Sequence, residues 1–195
     1  MAVTNGYTTL AEFKAWKTVG STDAADDAVI EDCIEAASRY FDNETGRTFY
    51  ARSLTRYYDM PQGRILELDD DLLTITTLTN GDGVEIAATE YNLWPRNYAP
   101  YSEIRLKSSS STRWTRDSDG NIEAVIGVEG AWGYVAEAPH DIRQACLMIA
   151  VNMNNRRTGA AVSNQVKVTS FGVVVTPQDI PSMAARVIRK YIKRI

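Results

Sequence analysis

The hydrophobic period of this chain changes twice along its length, and nothing else in the sequence limits its possible folds as much. Residues 23–45, DAADDAVIEDCIEAASRYFDNET, place Val29, Ile30, Cys33, Ile34, Ala37, Tyr40 and Phe41 at helical spacing over more than three turns. Asp23, Asp26 and Asp27 stand at the start of that segment, where the helix dipole favours anions, and Gly46 is placed to end it. Residues 139–157 repeat the period with Ile142, Cys146, Ile149 and Met153. Between them, residues 47–135 are rich in Thr, Tyr and branched side chains, with the partial alternation of strands. Two helices therefore bracket a β-rich middle.

Finer signals fill in this plan. Thr9-Leu10-Ala11-Glu12 reads as a capping box opening a short helix over 9–18, with Leu10, Phe13 and Trp16 on one sticky face. Strands are expected over 47–60, 65–68, 73–78, 91–94, 104–107 and 122–128. Asn80-Gly81-Asp82-Gly83 between apolar runs predicts a hairpin, because Asn-Gly tolerates positive φ. Residues 95–100, 108–112 and 117–121 read as loops. The fold class expected is α+β, a helical-bundle body with an inserted antiparallel β-sheet and hairpin region, followed by a C-terminal helix. By this reading residues 1–158 form the body, with helices over 9–18, 23–45 and 139–157, and residues 159–195 form a tether and a last helix.

Catalytic chemistry finds little support. Asp69, Asp70 and Asp71 are adjacent, so they cannot all face one ion from a regular element, and they read as a solvated turn between strands. Asp117-Ser118-Asp119-Gly120-Asn121 echoes a calcium loop but lacks its later ligands, and reads as a tight turn. There is no nucleophile elbow, no phosphate-cradling glycine loop with lysine, and no Cys/His metal spacing. Cys33 and Cys146 each fall on the apolar stripe of a helix and read as small buried hydrophobes. The one histidine, His140, begins the helix that carries Cys146, at a spacing that does not bring the two side chains together. No catalytic residue, cofactor or metal is expected.

Charge and hydropathy narrow the partners. A net charge of -4 over 195 residues argues against a dedicated duplex-binding protein. The wholly apolar stretch that includes residues 146–151 is far below the roughly 20 residues of a membrane span. Residues 1–7 lack a basic region followed by an apolar core, so no secretory signal is expected and the chain reads as cytosolic and soluble. The aromatics of the middle read as cross-strand or subunit contacts rather than base-stacking groups, because no dense basic stripe accompanies them.

The last helix stands apart. Over 183–195, Met183, Val187, Ile188, Tyr191, Ile192 and Ile195 form an apolar stripe, while Arg186, Arg189, Lys190, Lys193 and Arg194 supply five cations with no acid. Residues 1–46 carry nine acids against three bases. One reading is dipole matching and solubility. The other is a detachable basic amphipathic helix that docks on an acidic partner at the end of its tether.

Four segments in order carry a family resemblance. They are Tyr7-Thr8-Thr9-Leu10-Ala11-Glu12-Phe13-Lys14-Ala15-Trp16, then Ile34 to Phe41 leading into Glu44-Thr45-Gly46-Arg47-Thr48-Phe49-Tyr50, then Tyr91-Asn92-Leu93-Trp94-Pro95, then Gly130-Ala131-Trp132-Gly133-Tyr134 with Pro139-His140-Asp141-Ile142-Arg143-Gln144-Ala145. In this order they resemble the head–tail connector (adaptor) family of long-tailed bacteriophages, over most of residues 7–157. The resemblance implies a structural virion protein of the phage neck. It would form a twelvefold ring with copies of itself beneath the portal protein, extend the channel through which genomic DNA passes without sequence-specific binding, and offer a platform to a tail or stopper protein. Its place would be the virion, with the host cytoplasm during assembly, and no membrane. It also makes the C-terminal segment the portal-docking element, here Met183, Arg186, Val187, Arg189, Lys190, Tyr191, Lys193 and Arg194. Two other readings stay open: another head or tail completion protein such as a tail terminator, and a small hydrolase using His140 or the aspartate triplet.

Overall fold

A computed structural model describes residues 3, 5–18, 20, 24–157 and 180–193. The first part of the expected C-terminal segment, residues 159–179, the helix start at Asp23 and the cation Arg194 lie outside the described residues. The elements run in the order α1 (Leu10–Trp16), α2 (Asp27–Thr45), β1 (Arg52–Tyr58), β2 (Ile65–Thr79), β3 (Tyr91–Trp94), β4 (Tyr101–Leu106), β5 (Ile126–Trp132), α3 (His140–Arg157) and α4 (Ser182–Tyr191). The chain divides into two compact units, Thr48–Glu137 and Met1–Arg47 with Ala138–Ile195.

The expected helical-bundle body with an inserted sheet is corrected. The described residues form four helices, two of them only 7 and 10 residues long, and a five-stranded antiparallel sheet, a mostly β architecture with helices attached in sequence on either side. The reason is that the middle segment buries a core of its own and is not an appendage to a helical one. Leu66, Leu72, Leu78, Ile104, Ile126, Val128 and Trp132 are all withdrawn from solvent within it.

Strand order in the sheet unit is β1-β5-β2-β4-β3, with antiparallel neighbours throughout. Strand β2 serves two partners. Its Ile65, Leu66 and Glu67 face Arg105, Ile104 and Glu103 of β4, and from Leu72 onward it pairs with β5. The register shifts between these halves, where Asp69, Asp70 and Asp71 lie. The triplet is therefore not the expected turn; it continues a 15-residue strand. Arginines on β1 make that tolerable. Asp70 accepts hydrogen bonds from Arg52 at 2.8 Å and Arg56 at 2.6 Å, while Asp69 accepts from Arg56 at 2.9 Å and the Tyr58 hydroxyl at 2.6 Å. Burial raises the Tyr58 hydroxyl pKa, and donation to Asp69 raises it further.

Trp132 sits beneath this polar network. Its indole N–H donates to the Leu54 carbonyl at 3.1 Å, the Arg56 guanidinium lies 5.1 Å from its ring centroid, and Tyr58 stacks on it at 6.3 Å. Gly130, two residues earlier, lets β5 approach β2 closely, since a Cβ there would collide with the Thr74 carbonyl oxygen. The Asn80 hairpin forms as expected: Gly83 donates to the Asn80 carbonyl and Ile86 to that of Leu78. Its return arm is a single bridge, Thr79 to Glu85, rather than a strand. The buried Asn80 amide then holds a neighbouring loop, donating to the Arg113 carbonyl and accepting from Thr115.

In the helical unit, α1 opens on the expected capping box. The Glu12 N–H donates to the Thr9 hydroxyl at 3.2 Å, and the Glu12 carboxylate accepts from the Thr9 N–H at 2.9 Å. Phe13 is fully buried but Trp16 is exposed, so the sticky face is narrower than its spacing implied. Helix α2 buries Ile30, Ile34, Ala37 and Phe41, and it ends at Gly46, whose φ of 64° is the left-handed conformation that favours glycine. It packs on α3, which buries Ile142, Ala145, Cys146, Ile149 and Ala150. Cys146 lies 3.4 Å from the Ser38 hydroxyl, and burial pushes its thiol up to about 12, so it is a core side chain. Cys33 is half-buried. Among the described residues no helix is long and apolar enough to cross a membrane.

Candidate docking surface

The surface is built by α4, which rests on α3 and α2. Helix α4 runs from Ser182 to Tyr191, and its N-cap, Pro181, leaves the first turn without a side-chain cap. With a full turn every 3.6 residues, Ala184 and Ile188 lie on one line, and both are buried. Val187 and Tyr191 flank that line half-buried. The apolar stripe read from the sequence is thus rotated: Met183, 64% exposed, and Ile192, 44% exposed, do not belong to the packed face. Ala184 belongs there instead, and its small side chain carries little weight in a hydropathy pattern.

The expected docking residues separate into two groups. Met183, Arg186 and Arg189 point to solvent, and among the described residues neither arginine has an ion-pair partner. Lys190 and Tyr191 are instead engaged with Asp141 in the first turn of α3. The Lys190 ammonium donates to Asp141 at 2.8 Å, and the Tyr191 hydroxyl donates at 3.0 Å. Lys193 donates its backbone N–H to the Thr45 carbonyl at 2.8 Å, which satisfies one of the carbonyls that α2 leaves unpaired at its C-terminus. Val187 is part of the packed side, and Arg194 lies outside the described residues.

Sequence reasoning did not assign Asp141 a role. Asp141 is surrounded by donors: Lys190, Tyr191 and the Ile142 N–H. Burial pushes its carboxyl pKa up, but the hydrogen bonds from Lys190 and Tyr191 and the Lys190 charge outweigh this, and the net result is a lowered pKa. A folded-state value below the unfolded one stabilises the fold above the unfolded pKa, and that contribution is lost as pH falls through the folded pKa. Unfolding of the wild type and an Asp141→Asn variant, followed from pH 6 to pH 2, should therefore differ fully near pH 6 and converge in acid. A gap unchanged at pH 2 would remove Asp141 from this role.

A concavity of about 360 Å³ lies between α1 and α3, bordered by Trp16, Ala15, Leu147, Gln144, His140 and the Glu12–Arg143 ion pair. His140 is exposed there while Cys146 is buried on the other side of α3, so the structure does not pair them. Of the aspartate triplet, Asp69 and Asp70 are engaged by Arg52, Arg56 and Tyr58, and Asp71 is buried. Among the described residues no cluster of three His, Cys, Asp or Glu side chains is placed to hold a metal ion. Asp117 serves as a turn former, accepting from the N–H groups of Asp119 at 3.0 Å and Asn121 at 2.7 Å.

No protein-family model matches this chain, and no curated protein matches it in sequence. Its fold does have counterparts. One is a chain in the structure of the neck of an empty gene transfer agent particle computed with C6 symmetry, with a TM-score of 0.55 and 19% identity, covering 100% of this chain and 94% of that one. Another is a chain in the virion of the native gene transfer agent particle, with a TM-score of 0.57, 18% identity and the same coverage of 100% and 94%. At this identity what is shared is the fold, and it agrees with the connector resemblance carried by the four sequence segments.

Proposed function

We propose that this chain is a structural protein of the neck of a phage-like particle, in which copies assemble into a ring that joins the portal to the tail and lengthens the DNA channel. The observation that carries this reading is the fold likeness to a chain from a particle neck, which extends over the whole of this chain and nearly all of the other. Partners follow from the role. They are neighbouring copies in a twelvefold ring, the portal protein on one side, and a tail or stopper protein on the other. The site of action is the virion neck, reached from the host cytoplasm during assembly.

In this reading residues 1–158 serve as the connector body and residues 159–195 as tether and docking segment. Docking falls to Met183, Arg186, Val187, Arg189, Lys190, Tyr191, Lys193 and Arg194, with Arg186 and Arg189 leading because their guanidinium groups are exposed. DNA passes the ring without being gripped. A net charge of -4 provides no large surplus of cations to release counterions from phosphates, so the duplex is free to slide.

The test is to mix the purified protein with portal rings, and separately with tail-end proteins, from the same particle and to image the products. A new layer of density on the portal is the expected result. Rings that bind tail proteins and never the portal would favour a tail terminator, and no association with either would end the neck assignment.

A further inference from the structure

We infer that α4 engages an acidic surface of the portal from its seat, without detaching from α2 and α3. The inference rests on the neck reading above, and it replaces the detachable helix that the basic stripe suggested. Seating and docking use different sides of the helix. Ala184 and Ile188 define the inner line, and Arg186 falls roughly opposite it at 100° per residue, with Arg189 and Met183 to either side. A partner can therefore take the outer face and leave the inner one untouched.

Detachment would undo several interactions at once. It would uncover Ile188, leave the Asp141 carboxylate without Lys190 and Tyr191, and deprive the Thr45 carbonyl at the end of α2 of the Lys193 N–H. Detachment would exchange these contacts for water at a net loss, whereas the exposed arginines lose no contact within the chain on docking. The partner surface that fits the outer face carries carboxylates for Arg186 and Arg189 and an apolar notch for Met183. Helix α4 supplies no acid to offset them.

Geometry offers a staple. A Cβ built on Gly46 would lie 3.8 Å from the Cβ of Lys193, about the mean separation found in disulfides. A Gly46→Cys, Lys193→Cys double variant, its bridge verified by peptide mass, is tested for binding to portal rings oxidised and then reduced. Both forms lack the Lys193 charge, so the comparison isolates the staple. Seated docking predicts affinities within about twofold of each other. Binding that appears only after reduction overturns it.

A second measurement needs no substitution and covers the case in which a cysteine replacing Gly46 is too strained at the positive φ of that position. Carbodiimide joins carboxylates to amines in direct contact, so the wild type should yield an Asp141–Lys190 crosslink. Seated docking requires that crosslink to persist when the protein is bound to portal rings, and its loss in the complex overturns the inference. If the wild type does not bind portal rings at all, the neck reading fails first and seated docking falls with it. A failure confined to the stapled form or to the crosslink leaves the neck reading standing.

Discussion

Replacing Trp132 with alanine will lower the stability of the sheet unit by about 4 kcal/mol, within the range of Trp→Ala changes in well-packed cores. Trp132 is 0% exposed and lies among Leu54, Tyr58, Leu72 and Val128, so its loss leaves a cavity that a strand pair cannot easily close. Other losses add to the cavity. The Leu54 carbonyl loses the indole donor, the Arg56 guanidinium loses the ring 5.1 Å away, and Tyr58 loses its stacking partner. Arg56 also holds Asp69 and Asp70, so the damage reaches the register shift of β2. Denaturant unfolding checks this, with Trp132→Phe as the comparison. Phenylalanine keeps most of the buried area and should cost about 1–2 kcal/mol. A loss below about 1 kcal/mol for Trp132→Ala would show that the core is not centred on this side chain.

The second large effect is on binding. Reversing two charges at once, Arg186→Glu with Arg189→Glu, should weaken capture by portal rings by a factor on the order of 100 or more, since like charges set face to face cost several kcal/mol. Folding should hardly change, because both side chains are exposed and substitutions at such sites are usually within about 0.5 kcal/mol. This is a cleaner test than removing the helix. Truncation before Met183 would also uncover the surface that Ala184 and Ile188 cover, and would mix a folding defect with a binding one. Pull-down on portal rings, with circular dichroism to verify the fold, gives the readout. Unchanged binding by the double variant would take the docking role away from α4.

Legibility from the residues followed the range of the forces involved. The capping box of α1, the glycine end of α2, the Asn80 turn and the four residues of β3 depend on neighbours a few positions away, and the chain shows each where its pattern places it. The aspartate triplet failed the same test. Three adjacent carboxylates read locally as a turn, yet Arg52 and Arg56, 13 to 18 positions earlier, hold Asp69 and Asp70 within β2. Helix α4 shows the same limit in another form. Its amphipathic character is local, but which line of the helix is buried depends on α3 and on where Asp141 stands.

What the sequence determined alone was the kind of protein: helical segments around a β-rich middle, a basic helix near the end, and four ordered segments like those of phage connectors. Periodicity, capping and turn chemistry act over a handful of bonds, so the residues themselves carry that information. Tertiary structure alone decided that the middle forms a compact sheet unit with a core of its own, that Asp69 and Asp70 pair with β1, and that α4 is seated through Ala184, Ile188 and Asp141 with Arg186 and Arg189 outward. Each of these depends on groups far apart in the chain meeting in space, where burial and charge pairing, not local pattern, choose the arrangement.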